Sequence, residues 1–328
     1  MAIERVIEHT KRTGWGSLSH HGLRMESFPM RLFRKGNNKF WNPEDIDFSQ
    51  DKVDFEAMSD DEKHLTRVLA SQFMAGEESV TQDLQPFAHA MAAEGRLSDE
   101  AYLTQFIFEE AKHMQGFRLW FDAVGETADL HSYVEYSEAY ETIFKNELSQ
   151  SLFALLDDPS PANQVRASVT YNHVVEGTLA LTGYYVWAKI CASRGILPGM
   201  QRLVKLIGDD ERRHMAWGTF TCRRHVAADD KNWEVVDERM QELLPLALQQ
   251  IVGLFDEFEL NNRDVPFGIS IDEMSDYALD KVNRRLESIE SARGQNVYVI
   301  DEDYSPMEME DRFGAEDEKN IALALTGA

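Results

Sequence analysis

The chain has 328 residues, 43% of them hydrophobic, with 58 acidic against 33 basic residues and a formal net charge of −25. That apolar share supports a sizeable core and excludes disorder as the main state. So anionic a surface argues against nucleic-acid or acidic-membrane partners, because phosphate contacts need clustered Lys and Arg.

Residues 1–58 read as an irregular segment packing on the helical bundle, broken by Gly14, Gly16, Gly22, Pro29, Gly36 and Pro43. At Ser59 the pattern changes. Ser59 with Glu62 three residues on forms a capping-box signature, and a helical pattern continues to about Ala93, kinked or interrupted at Pro86. A second helix is expected over 99–124, stopped by Gly125, and a third over about 130–155. A fourth should run from Pro161 to Ser193 with Gly195 past its end, a fifth from Gly199 to Ala227, and two more near 232–260 and 271–293. Residues 294–328 are polar and acidic and read as a loosely packed tail. The fold class is all-α, with residues 59–293 as one helical domain built around a bundle. Cys191 and Cys222 are too few for a disulfide framework or a thiolate metal site. There is no run of 18 apolar residues and no apolar stretch of signal-peptide length at the start. No membrane span and a cytoplasmic location are therefore expected.

Several of these helices are apolar on most faces, as in a bundle interior. Four interior segments break that rule together. Glu77 lies in SQFMAGEESV, Glu110 and His113 in FIFEEAKHMQGF, Glu176 in YNHVVEGTLAL, and Glu211 and His214 in LIGDDERRHMAW. Residues i and i+3 share a helix face, so each Glu-x-x-His can grip one ion. Two such helices hold two ions, single glutamates from two more bridge or cap them, and four carboxylates neutralise two divalent cations. Oxygen and imidazole donors without thiolates suit iron and manganese. Two nearby groups are set aside. His64, in the polar first turn, reads as an exposed charge, and His173 as a core histidine. Glu78 and Glu109 point about 100° away from the ligand face.

The order Glu, Glu-x-x-His, Glu, Glu-x-x-His resembles the small subunit of ribonucleotide reductase and its ferritin-like relatives. So do the entry segment KFWNPEDIDFSQDKVDF with Trp41, and Asp210 before Glu211. The likeness implies a ferritin-like four-helix bundle with additional helices. It also implies that Asp210 accepts a hydrogen bond from His113, with Trp41 close by. The family's radical tyrosine falls at Phe117, which has no phenolic hydrogen to lose. GEESVTQDLQPF, FIFEEAKHMQGF and YNHVVEGTLALTGYY are similar to the ligand-binding oxidase branch. That resemblance implies an oxidoreductase with one manganese and one iron per chain (di-iron being the alternative) and a homodimer. It further implies a long-chain fatty acid in an apolar tunnel, and oxygen-driven formation of an ether link between Val80 and Tyr171, the catalytic pair. Val80 lies one turn after Glu77. Tyr171 lies five residues before Glu176, about 140° around an ideal α-helix, so the pair needs a π-type distortion or a sideways approach. The rival readings are a ribonucleotide reductase small subunit lacking the radical tyrosine, of manganese/iron type, and a ferritin-like storage protein.

Overall fold

The computed structural model describes residues 14–19, 22–134 and 137–326, and the expectations for residues 1–13 lie outside them. The described chain is helical. Among the described residues two α-helices precede the bundle, α1 (Phe28–Asn38) and α2 (Ser49–Ala57). Next come α3 (Asp60–Asp83), α4 (Gln85–Ala93) and α5 (Leu97–Val124). The Ser59–Glu62 capping box opens α3, with Ser59 N donating to Glu62 Oε2 at 2.9 Å. The expected break falls at Leu84, just before Pro86, and Gly125 ends α5 in the left-handed region at φ 84°.

The third expected helix is shorter and mixed. Among the described residues it begins as α6 (Glu138–Glu141), continues as a π-helical stretch Thr142–Leu148, and ends as α7 (Ser149–Phe153). The fourth is one continuous rod of three parts: α8 (Pro161–Ser168), a π-helix Val169–Ala180, and α9 (Leu181–Arg194). Then come α10 (Pro198–Ala228), α11 (Lys231–Gly253), α12 (Asp256–Leu260), α13 (Ile271–Glu290), α14 (Val297–Ile300) and α15 (Ser305–Thr326). The bundle is formed by α3, α5, the α8–π–α9 rod and α10. This is an all-α, ferritin-like fold with additional helices. Among the described residues no helix is long and apolar enough to cross a membrane.

Two expectations need correction. The segment before Ser59 is not simply irregular: α1 starts with a proline in its first turn, packs on α5 and α10, and buries Phe28, Met30 and Leu32. Nor is the tail loose. Helix α15 packs on α10 and α9 and buries Met309 and Phe313. Its acidic residues are matched by cations of other helices. Arg285 pairs with Glu310, Arg212 with Asp317 and Lys281 with Glu316, at 2.6–2.8 Å.

Two apolar clusters fill the interior. On each bundle helix the chain passes from one to the other: from Leu69 to Val80 on α3, Phe106 to Phe117 on α5, Val175 to Tyr184 on the rod, and Ile207 to Ala216 on α10. Glu77, Glu110, Glu176 and Glu211 sit at those four changeovers. The carboxylates are therefore roofed on both sides by apolar residues and exposed by at most 5%.

Candidate metal centre

All six expected ligands come together in two overlapping sets. Glu77, Glu110, His113 and Glu211 form one, and Glu110, Glu176, Glu211 and His214 the other, with donor atoms within 4.8 Å of one another in each. Glu110 and Glu211 belong to both sets. Glu211 Oε1 lies 3.4 Å from His113 Nδ1, and its Oε2 lies 3.4 Å from His214 Nδ1. Each carboxylate oxygen thus faces a different half of the site, the geometry of a bridge.

Whether the donor set suits a metal pair is tested by its unmatched atoms. His113 Nδ1, His214 Nδ1, Glu176 Oε1 and Glu211 Oε2 are buried and have no hydrogen-bond partner among the described residues. These four atoms all point into the cluster. Buried polar atoms are nearly always paired, and a set of convergent exceptions calls for a bound group. The charge balance agrees. Burial pushes Glu77 up to about 8, despite His113 beside it. Burial, with Glu211 adding to it, raises Glu176 as well. Burial opposes the charging of both histidines, yet Glu77 next to His113 and Glu110 next to His214 raise them. Without cations the site holds extra protons, and divalent ions would displace them.

A second layer fixes these side chains. His113 Nε2 lies 3.1 Å from Asp210 Oδ2, the partner implied by the resemblance, and Trp41 Nε1 donates to the same oxygen at 2.9 Å. His214 Nε2 lies 2.9 Å from Glu109 Oε2. Arg213 Nη2 ties the two carboxylates together, donating to Glu109 and Asp210 at 2.6 Å each. With the outer nitrogens committed to carboxylates, both imidazoles turn Nδ1 toward the centre. Tyr184 OH donates to Glu77 Oε1 at 2.5 Å. Asn172 Nδ2 donates to Glu176 Oε2 at 2.8 Å, leaving Oε1 to face inward. A Cβ at Gly218 would collide with the Asn172 side chain, so that glycine is what lets α10 approach.

The π-helix resolves the register of Tyr171. Its wider turn (hydrogen bonds from i to i+5) brings residues five apart onto one face. Tyr171 OH accordingly donates to Glu110 Oε1 at 3.0 Å. Val80 is buried and lines a pocket that also takes in Glu77, Glu110, Glu176 and Glu211. The rest of that pocket is largely apolar, with Phe73, Phe144, Leu179 and Ile251 in its wall. Phe117 is fully buried and stacks on Phe73, which in turn stacks on Tyr184.

His64 pairs with Glu257 at 2.8 Å on the surface, outside the site. His173 is a core histidine that burial pushes down to about 3. Glu109 is in neither donor set, as its helical angle implies. Its role as the partner of His214 escaped the sequence, as did those of Arg213, Asn172 and Tyr184. Glu109, Asn172 and Tyr184 are polar residues in largely apolar stretches close to an expected ligand, and that signal marks them, whereas Arg213 sits in the polar run DDERRH and carries no such mark.

The comparisons with known proteins agree with this geometry. Residues 29–297 match the family model for the ribonucleotide reductase small chain. A solved R2-like ligand-binding oxidase from Sulfolobus acidocaldarius is 36% identical, with TM-score 0.80 over 88% of this chain and 98% of that one. An R2-like ligand-binding oxidase with an aerobically reconstituted Mn/Fe cofactor is 33% identical, with TM-score 0.77 over 85% of this chain and 98% of its own. Another, with its metal cofactor after photoconversion, is 33% identical with TM-score 0.79 over 85% and 99%.

Proposed function

The chain belongs to the ribonucleotide reductase small-chain family, and from that premise we propose that it is an oxidase of the ligand-binding type with one manganese and one iron ion per chain. The observation that carries this reading is the pair of overlapping donor sets with a phenol against the shared Glu110. Glu77 and His113 would hold one ion, Glu176 and His214 the other, with Glu110 and Glu211 between them. When bound, the metal pair supplies oxygen activation and the oxidising power for a two-electron C–H oxidation.

The chain's own residues direct that power. The apolar helix faces exclude water, and the carboxylates behind His113 and His214 hold the imidazoles in place. Val80 presents its tertiary C–H on the ligand side of α3. Tyr171 is held in place by its hydrogen bond to Glu110. Val80 loses one hydrogen, Tyr171 loses the other, a C–O bond joins them, and the two electrons go to oxygen. Phe117 supports this outlet over a stored tyrosyl radical, because a phenyl ring has no O–H to give up. The apolar lining of the pocket supports a long-chain fatty acid or similar amphiphile as the ligand. A homodimer is supported by Phe40 and Phe108, exposed by 65% and 52% and stacked on each other at the surface.

Peptide mass spectrometry tests the reading. Metal-free protein should give separate Val80 and Tyr171 peptides. Protein reconstituted with both metals in air should give a joined peptide lighter by two hydrogens. Separate, unmodified peptides after full oxidation would put the radical-subunit reading ahead.

A further inference from the structure

Lys112 is out of place. Lysine is seldom fully buried, yet this one is 4% exposed, on α5 between Glu110 and His113. Its ammonium pairs with Asp210 at 2.8 Å and stands 4.2 Å from the centre of the Trp41 ring. Phe40 and Phe108 flank it at 5.8 and 5.9 Å. Trp41 donates to the same Asp210 oxygen that faces His113, and its ring lies parallel to the His113 ring with centroids 6.2 Å apart. One carboxylate thus joins an easily oxidised indole to a proposed ligand. Left unopposed, that connection would offer a strong oxidant at the proposed metal centre an electron from the indole.

We infer that Lys112 is a positioning residue whose fixed charge keeps Trp41 from being oxidised and so reserves the oxidising equivalents for Val80 and Tyr171. This rests on the oxidase reading. The electrostatics are direct. A neutral indole attracts the ammonium over its face. An indole that has lost an electron is positive and repels it, and two like charges about 4 Å apart inside a protein repel strongly. Asp210 alone would do the reverse, stabilising the oxidised ring and accepting its N–H proton. Lys112 opposes that pull from its place at the same carboxylate oxygen and over the face of the ring. Without it, Trp41 gives one electron to the oxidant and its proton to Asp210. The oxidant's second equivalent then takes another electron, and water adds to the ring with loss of a proton, leaving Trp41 heavier by one oxygen atom and no equivalents for the Val80–Tyr171 link.

The test compares wild type with Lys112→Met and Lys112→Arg, using Trp41→Phe to assign the modified peptide. In the first arm metal-free protein meets a photogenerated ruthenium(III) trisbipyridyl oxidant, and oxygenated Trp41 is counted by peptide mass spectrometry. Lys112→Met should show roughly tenfold more than wild type, and Lys112→Arg should return to the wild-type level. The other tryptophans are the internal standard, and a merely structural role would not be rescued by charge. In the second arm the proteins are loaded with both metals in air, and Lys112→Met should exchange the Val80–Tyr171 link for oxygenated Trp41. Equal Trp41 oxidation in wild type and Lys112→Met in the first arm overturns the inference. If the Met variant does not fold, Lys112→Gln takes its place in both arms. A failed oxidase reading shows differently, as no link in reconstituted wild type, and leaves the metal-free comparison to decide Lys112.

Discussion

Replacing Arg285 tests how the C-terminal helix bears on the metal site. Arg285 of α13 and Glu310 of α15 are each 1% exposed and joined by two hydrogen bonds, at 2.6 and 2.9 Å. The remaining guanidinium nitrogen donates to the Gly177 carbonyl at 3.0 Å, one residue past Glu176 in the π-helix. Arg285→Met leaves Glu310 alone in an apolar interior. Removing one partner of a buried pair costs about 3–5 kcal/mol. At about 2–4 °C per kcal/mol for a domain of this size, the thermal midpoint should fall by roughly 6–20 °C. Arg285→Met with Glu310→Leu removes both charges and should recover most of that loss, because two well-packed apolar side chains need no partner. What the double variant cannot restore is the donor to Gly177. The ion proposed between Glu176 and His214 should then remain under-occupied while the one at Glu77 and His113 stays filled. Thermal unfolding monitored by circular dichroism, with metal content by mass spectrometry, reads both effects. A single variant melting within about 2 °C of wild type, or a double variant with full metal content, would refute the reasoning.

Glu110→Ala, which removes a donor common to both sets, should lower the content of both ions, whereas Glu77→Ala should lower only one; equal losses in metal analysis would contradict the bridging role. Glu109→Gln should weaken metal binding by about 10–100-fold through His214, as loss of such an outer partner does, and metal titration checks it. Burial holds the Asp83 carboxyl up at about 6. The folded chain therefore binds that proton more tightly than the unfolded one, and stability present at low pH is lost as pH rises from about 3.8 through 6. Asp83→Asn should stabilise by about 1–3 kcal/mol at pH 8 and by nothing at pH 3, measured by urea unfolding; equal effects at both pH values would remove this account.

What the sequence made legible was local. Ser59 with Glu62, Gly125 and Gly195 mark helix ends because capping and left-handed backbone depend on a few adjacent residues. The six proposed ligands stood out because a carboxylate or imidazole inside an apolar helix has few explanations. What stayed hidden was set by distant partners. An α-helical angle sends Tyr171 away from Glu176, and only the π-helix, held by Arg285 on Gly177 and by Thr178 on the His173 carbonyl, brings the phenol to Glu110. Glu109 reads as an off-face neighbour until α10 supplies His214 and Arg213 to meet it. The tail reads as solvated because composition counts its acids and cannot count the arginines, remote in sequence, that neutralise them. Glu310 finds Arg285 25 residues earlier, and Asp317 finds Arg212 105 residues earlier. A charge surplus belongs to the whole chain, whereas burial is decided pair by pair. A segment with a strong net charge can therefore still be an interior element wherever its charges meet partners across the fold.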